Sequence, residues 1–229
     1  MSRLVGEPHR AALTAVLAAA LAVALTLVGI RAASYAFTFV GLTPAWAVLV
    51  LVGSLLGSAV NIPVMSLHAE VPEVGYLWVR RGRVLYSLQL GRPGQITVAV
   101  NVGGAVIPTI VSLYLLVRSA SWLAGLLTIL IVALVVHLFA VPVQRVGIVV
   151  PMSVPPLTAA AAALLVGSHS DAAALAYVGG TLGTLVGADL SNFRSVRRME
   201  AQLVSIGGGG TFDGIFVSGI LAILLAAFV

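Results

Sequence analysis

The chain has 229 residues, of which 60% are hydrophobic and only 8% charged. A water-soluble domain carries about 25% charged residues, so this composition excludes a protein that turns most of its surface to water. Cysteine is absent, which removes disulfides, thiol catalysis and cysteine-held metals. The net charge of +5 comes from twelve arginines and no lysine; membrane topology explains it better than nucleic acid, and no nucleic-acid partner is expected.

The first apolar block, Ala11 to Ile30, is longer than a signal-peptide core and lacks a small-residue exit site, so it reads as a spanning helix. The aromatic-rich stretch Ala32 to Thr43, bounded by Gly41 and Pro44, suits a short interfacial helix. Spans are expected at 11–30, 44–66, 96–117, 121–141, 151–167, 172–190 and 211–229, most of them near the roughly 20 residues that cross a bilayer. The fifth is cleanly apolar and helical only from Pro156 to Val166, and suits a half-helix or a re-entrant segment. The fold class is therefore all-α: one polytopic membrane domain over residues 1–229 with about seven transmembrane helices. Membrane lipids are its constant partners; self-association as a homo-oligomer is left open.

Between the second and third spans lies the longest loop, 67–95. Tyr76-Leu-Trp-Val and Val84-Leu-Tyr-Ser flank Arg80-Arg-Gly-Arg, so β-forming residues stand on both sides of a glycine-containing turn. This pattern predicts a small β-hairpin. It suits an amphipathic cap with arginines on lipid headgroups, or an exposed strand edge that pairs with an extended peptide.

Arginine placement orients the chain. With the N-terminus in the cytoplasm, ten of the twelve arginines fall inside and only Arg31 and Arg118 outside. That asymmetry follows the positive-inside rule, and predicts a multi-pass protein of the inner (plasma) membrane with a cytoplasmic N-terminus and cytoplasmic hairpin.

Spans two and three carry Gly57-Ser-Ala-Val-Asn61-Ile-Pro63 and Asn101-Val-Gly-Gly-Ala-Val-Ile-Pro108. Each joins small residues, a buried asparagine and a proline. Prolines interrupting both helices would free carbonyls for a substrate or ion. Alternatively, glycines allow close packing and the asparagines bond across the interface.

Ionisable groups at membrane depth cost roughly 2.5–3.5 kcal/mol each, which singles out His137, Asp189 and Asp213. Asp171 reads as an ordinary acid at an outer helix start, and His137 most simply as an interfacial hydrogen-bonding residue. Asp189 closes the sixth span, Asp213 opens the seventh after Gly207 to Gly210, and a loop with Arg194, Arg197 and Arg198 joins them. Consecutive spans pack antiparallel, so both carboxyls should lie at similar depth. Two neighbouring carboxyls resist double ionisation. The helix ends would leave Asp213, at an N-terminus, as the ionised member and Asp189 as the protonated one. The plainer reading has the aspartates cap helices or pair with the loop arginines. The four glycines then serve as a flexible lead-in, rather than as a point of close backbone approach to Asp213.

Ala188-Asp189-Leu-Ser-Asn192-Phe-Arg and Gly209-Gly210-Thr-Phe212-Asp213-Gly-Ile-Phe resemble the two catalytic elements of the presenilin and signal peptide peptidase group of intramembrane aspartyl proteases. Beyond those elements the chain is similar to small prokaryotic membrane proteins of an uncharacterised family. The protease resemblance covers the last two spans. It implies that Asp213 activates a water, that Asp189 protonates the substrate oxygen, and that a transmembrane protein or peptide is the substrate. Neither metal nor organic cofactor is implied. Phe212 stands where the family has glycine, and Ala188 where tyrosine is frequent. The family's Pro-Ala-Leu motif lies on a later span, and its nearest counterpart here is Pro155-Pro156-Leu157 on the fifth. The remaining alternatives are a small-molecule, ion or proton transporter using Asp189, Asp213, Asn61 and Asn101, and a non-catalytic membrane scaffold.

Overall fold

A computed structural model describes residues 31–68, 74–81, 84–91, 94–119, 121–143, 147–199, 201, 203–208 and 210–227. The first expected span, 11–30, lies outside them. The described chain is mainly helical: α1 (31–39), α2 (Pro44–Gly57), α3 (Ile107–Arg118), α4 (Trp122–Phe139), α5 (Val154–Val166), α6 (Ala172–Val178) and α7 (Gly210–Ala227). Two π-helical stretches, Gly179–Gly183 and Leu185–Leu190, prolong α6 into one helix ending at Leu190. Among the described residues, two helices are long and apolar enough to cross a membrane, Trp122–Phe139 and Ala172–Leu190. At 1.5 Å per residue the first reaches about 27 Å.

The expected second and third spans are each part helix and part strand. α2 stops at Gly57, and the chain continues as β1 (Asn61–His68). In the same way β4 (Gln95–Asn101) precedes a π-turn (Val102–Val106) and α3. The physical reason lies in the side chains. Ile96, Val98 and Val100 recur at every second position in a β-branched run, and Ile96 and Val98 are fully buried. The prolines accordingly break no helix: Pro63 sits in β1 beside a register shift, and Pro108 in the first turn of α3, where the missing amide costs nothing.

The loop between these strands contains the antiparallel hairpin of β2 (Val74–Arg81) and β3 (Val84–Gly91), closing at Arg81 opposite Val84. A second, smaller hairpin, β5 (Val141–Val143) with β6 (Gly147–Val149), joins α4 to α5. The remaining strand, β7 (Leu203–Ile206), lies parallel to β4 and completes a three-stranded sheet in the order β1-β4-β7. One apolar cluster, Leu67, Ile96, Val98 and Val196, fastens that sheet to the 3-10 helix Phe193–Arg198.

Glycines set how closely the helices approach. A Cβ on Gly57 would lie 2.9 Å from the backbone nitrogen of Gly103, and one on Gly103 would collide with the Ser54 carbonyl oxygen. Backbone therefore packs on backbone where α2 ends and the π-turn begins. Outward-facing positions are strongly apolar: Leu123, Leu126, Leu130, Leu134 and Leu138 of α4 are all exposed.

Replacing Gly103 by alanine is expected to destabilise the protein by about 1–3 kcal/mol, read as a fall in apparent Tm in detergent. Gly53→Ala, whose new carbon would meet Ile107 Cδ1 at an ordinary 3.5 Å, should leave it nearly unchanged. Equal behaviour of the two variants would contradict the contact.

Candidate functional site

Asp189 lies in the π-helical turn Leu185–Leu190, only 6% exposed. Its Oδ2 accepts a hydrogen bond from the Gly207 amide at 2.8 Å. Gly207 follows β7 directly and has φ +70°, in the left-handed region that favours glycine. A Cβ there would also sit 2.6 Å from Ala105 Cβ and 2.8 Å from its nitrogen. Gly207 is thus packed directly on the backbone of the β4–α3 junction; the approach to Asp213 expected of the glycine run involves positions outside the described residues.

That junction is held by asparagines. The Asn101 side chain accepts from the Gly104 amide at 2.7 Å and so caps the π-turn. Its Nδ2 donates to the Ser58 carbonyl at 2.7 Å and to Asn61 Oδ1 at 3.1 Å. Asn61 Oδ1 also accepts from the Ser205 hydroxyl. One polar network therefore joins β1, β4 and β7, and at the head of β7 it adjoins the Gly207 bond to Asp189. Of the two readings of Asn61 and Asn101, bonding across a glycine-packed interface is the one this geometry matches.

His137, near the end of α4, meets the same helix end from the other side. Its Nδ1 lies 2.9 Å from Ser191 Oγ. The Ser191 hydroxyl donates to the Gly187 carbonyl, and Asn192 Nδ2 lies 3.4 Å from the same imidazole nitrogen. Asn192 Nδ2 donates to the carbonyls of Gly187 at 3.2 Å and Ala188 at 3.0 Å, satisfying groups that a helix end leaves open. The Cβ that Gly187 lacks would overlap Ala133 of α4, which explains how the two helices come so close.

Asp213 occupies the first turn of α7, and the backbone of Gly210 and Phe212 flanks it. Their side-chain positions, and Gly209 altogether, lie outside the described residues. Pro155 and Pro156 are buried in the first turn of α5, whereas Leu157 faces outward. Arg194, Arg197 and Arg198 are exposed on the 3-10 helix between Asp189 and β7. Sequence reasoning missed Ser58, Ser205 and the particular role of Gly207. The only available signal for the last was its place directly after an Ile-Val-rich run.

The family described as "Protein of unknown function (DUF1614)" matches residues 55–225, most of the chain including every element of this site, and the chain belongs to it. No curated protein and no solved structure matches.

Loss of the carboxyl in Asp189→Ala would leave the buried Gly207 amide unpaired, a cost of about 1–3 kcal/mol. Asp189→Asn keeps an acceptor of the same shape and should lose much less in a detergent unfolding titration. An asparagine variant as unstable as the alanine one would show that this hydrogen bond is not the source.

Proposed function

We propose that this member of the DUF1614 family is an intramembrane aspartyl protease-like enzyme, hydrolysing peptide bonds of membrane-embedded substrates with Asp189 and Asp213. One observation carries the reading. The Asp189 carboxyl is buried at the end of a membrane-length helix and bonded to Gly207, at the head of the four-glycine segment that leads to Asp213. A buried ionisable group at such a place is a functional candidate by default.

In the proposed reaction, Asp213 takes a proton from a water whose oxygen adds to the scissile carbonyl carbon. Asp189, with Oδ2 engaged by Gly207, delivers a proton from Oδ1 to the carbonyl oxygen. As the resulting diol collapses and the C–N bond breaks, Asp213 gives its proton to the departing nitrogen and Asp189 recovers one from a diol hydroxyl, leaving a carboxylic acid, an amine and both aspartates as they began. The sharing of one proton by two carboxyls is what this chemistry needs.

The same proposal places about seven spans in the inner membrane with the N-terminus in the cytoplasm. Ten arginines on one side support it. So do the hairpin of β2 and β3 and the strand β7, which fall in connections assigned to that side. The exposed leucines of α4, and Leu49, Val52, Leu55 and Leu56 of α2, suit contact with lipid.

A second reading, a proton or cation path through the bundle, draws on Ser54 and Ser112. Both are fully buried, and neither hydroxyl has a hydrogen-bond partner among the described residues.

In proteoliposomes, Asp189→Asn and Asp213→Asn should each abolish cleavage of a transmembrane reporter peptide while preserving helical circular dichroism. Cleavage undiminished in either variant ends the protease reading; proton flux lost in both, with no cleavage by the parent, favours the path. Because the chain lacks cysteine, orientation is readable with single-cysteine variants and an impermeant maleimide. His169→Cys should label in intact cells and Arg197→Cys only after lysis; the reverse pattern would invert the topology.

A further inference from the structure

α2 and α3 form a clamp that is closed at one end and open at the other. Near the sheet α2 meets the π-turn leading into α3 through Gly57 and Gly103, and a Cβ at Gly53 would reach Ile107 at an ordinary contact distance. Toward the start of α2 and the end of α3 they diverge, leaving a cavity of about 380 Å³. Val50 and Val111 line it as buried residues, whereas Trp46, Leu49, Ile110 and Tyr114 are exposed at its walls. Its size falls within the roughly 300–1,000 Å³ of small-ligand sites. The lining is apolar throughout apart from the tyrosine hydroxyl and the indole N–H.

The open end carries charge. Arg118, the last residue of α3, stands one turn beyond Tyr114 and donates from Nη1 to the tyrosine oxygen at 2.7 Å. Its guanidinium carbon lies 5.6 Å from the centre of the Tyr114 ring. Having accepted from arginine, the Tyr114 hydroxyl keeps its own proton to donate. A cation with spare N–H groups and an O–H donor thus sit above an apolar cleft. Trp46 and Tyr114 both line the cleft, and such aromatic residues are enriched at a headgroup boundary.

We infer that the α2–α3 cleft is a binding site for an acidic phospholipid, with one acyl chain between the helices and the headgroup phosphate on Arg118 and Tyr114. The apolar lining fits hydrocarbon, and the arginine–tyrosine rim complements an anion. A zwitterionic lipid would offer the same phosphate, but its own ammonium would offset the attraction of Arg118. This inference rests on the membrane reading above and is independent of any catalysis.

The full chain in vesicles containing a phosphatidylglycerol analogue with a photoactivatable acyl chain supplies the test. Flotation with the vesicles checks the membrane reading first, and a chain that does not float overturns that reading rather than the cleft. In the floating protein, adducts should concentrate on peptides of α2 and α3, and a phosphatidylcholine analogue should label them less. Arg118→Gln should reduce phosphatidylglycerol labelling of these peptides about fivefold, the effect of one interfacial arginine. Ile110→Trp, at an exposed wall and so mild for folding, should reduce labelling with both analogues. Three outcomes overturn the inference. Adducts could spread evenly onto the exposed leucines of α4, or Arg118→Gln could leave them unchanged. A disulfide forming readily between Leu49→Cys and a cysteine placed within 11–30 would mean that the chain's own first segment fills the cleft.

Discussion

The backbone contact between Gly57 and Gly103 is the constraint on which the other parts depend. It brings the end of α2 against the start of the π-turn, and so sets β1 beside β4 in register, Asn61 opposite Asn101. β4 in turn supplies the edge on which β7 lies, and β7 delivers Gly207 against Ala105 and the Asp189 carboxyl. A side chain at position 103 would separate these elements at their first joint. The polar network of Asn61, Asn101 and Ser205 is short-range and directional, so it holds only when that joint is closed.

The helical part of the fold was legible because apolar length is a strong signal. The helices α4, α5 and α7, and the long helix through Leu190, lie within a few residues of the expected spans. The strands β1 and β4 were not legible in the same way. A continuous apolar run reads alike as a buried strand or a helix segment, and both runs adjoin real helices that extend the apolar block. Alternation at Ile96, Val98 and Val100 was the discriminating detail. The hairpin of β2 and β3 stood out for the opposite reason: its aromatic and β-branched strands surround a charged turn that no span would contain.

Of the site, the residue types were legible and their partners were not. Aspartate, histidine and asparagine in apolar surroundings draw attention by their cost alone. What each would touch depends on which connections meet at one end of the bundle. Asp189 bonds the backbone amide of Gly207, just past β7 and eighteen residues later, and His137 bonds Ser191 across two helices. Neither pairing leaves a local pattern in the chain. Asn192 is the exception: its carbonyl-capping role belongs to the first residues past a helix end and follows from position.

The parallel pairing of β4 with β7 has a consequence for assembly. Residues 97–100 meet residues 203–206, so nearly half of the chain is synthesised between the two strands. During synthesis the β4 edge facing β7 waits unmatched while α3 to α6 are made. Such non-local contacts form late because the intervening loop must first be closed. Asp189 therefore gains its Gly207 partner only after the ribosome has passed β7, with the whole of the α3–α6 segment already made.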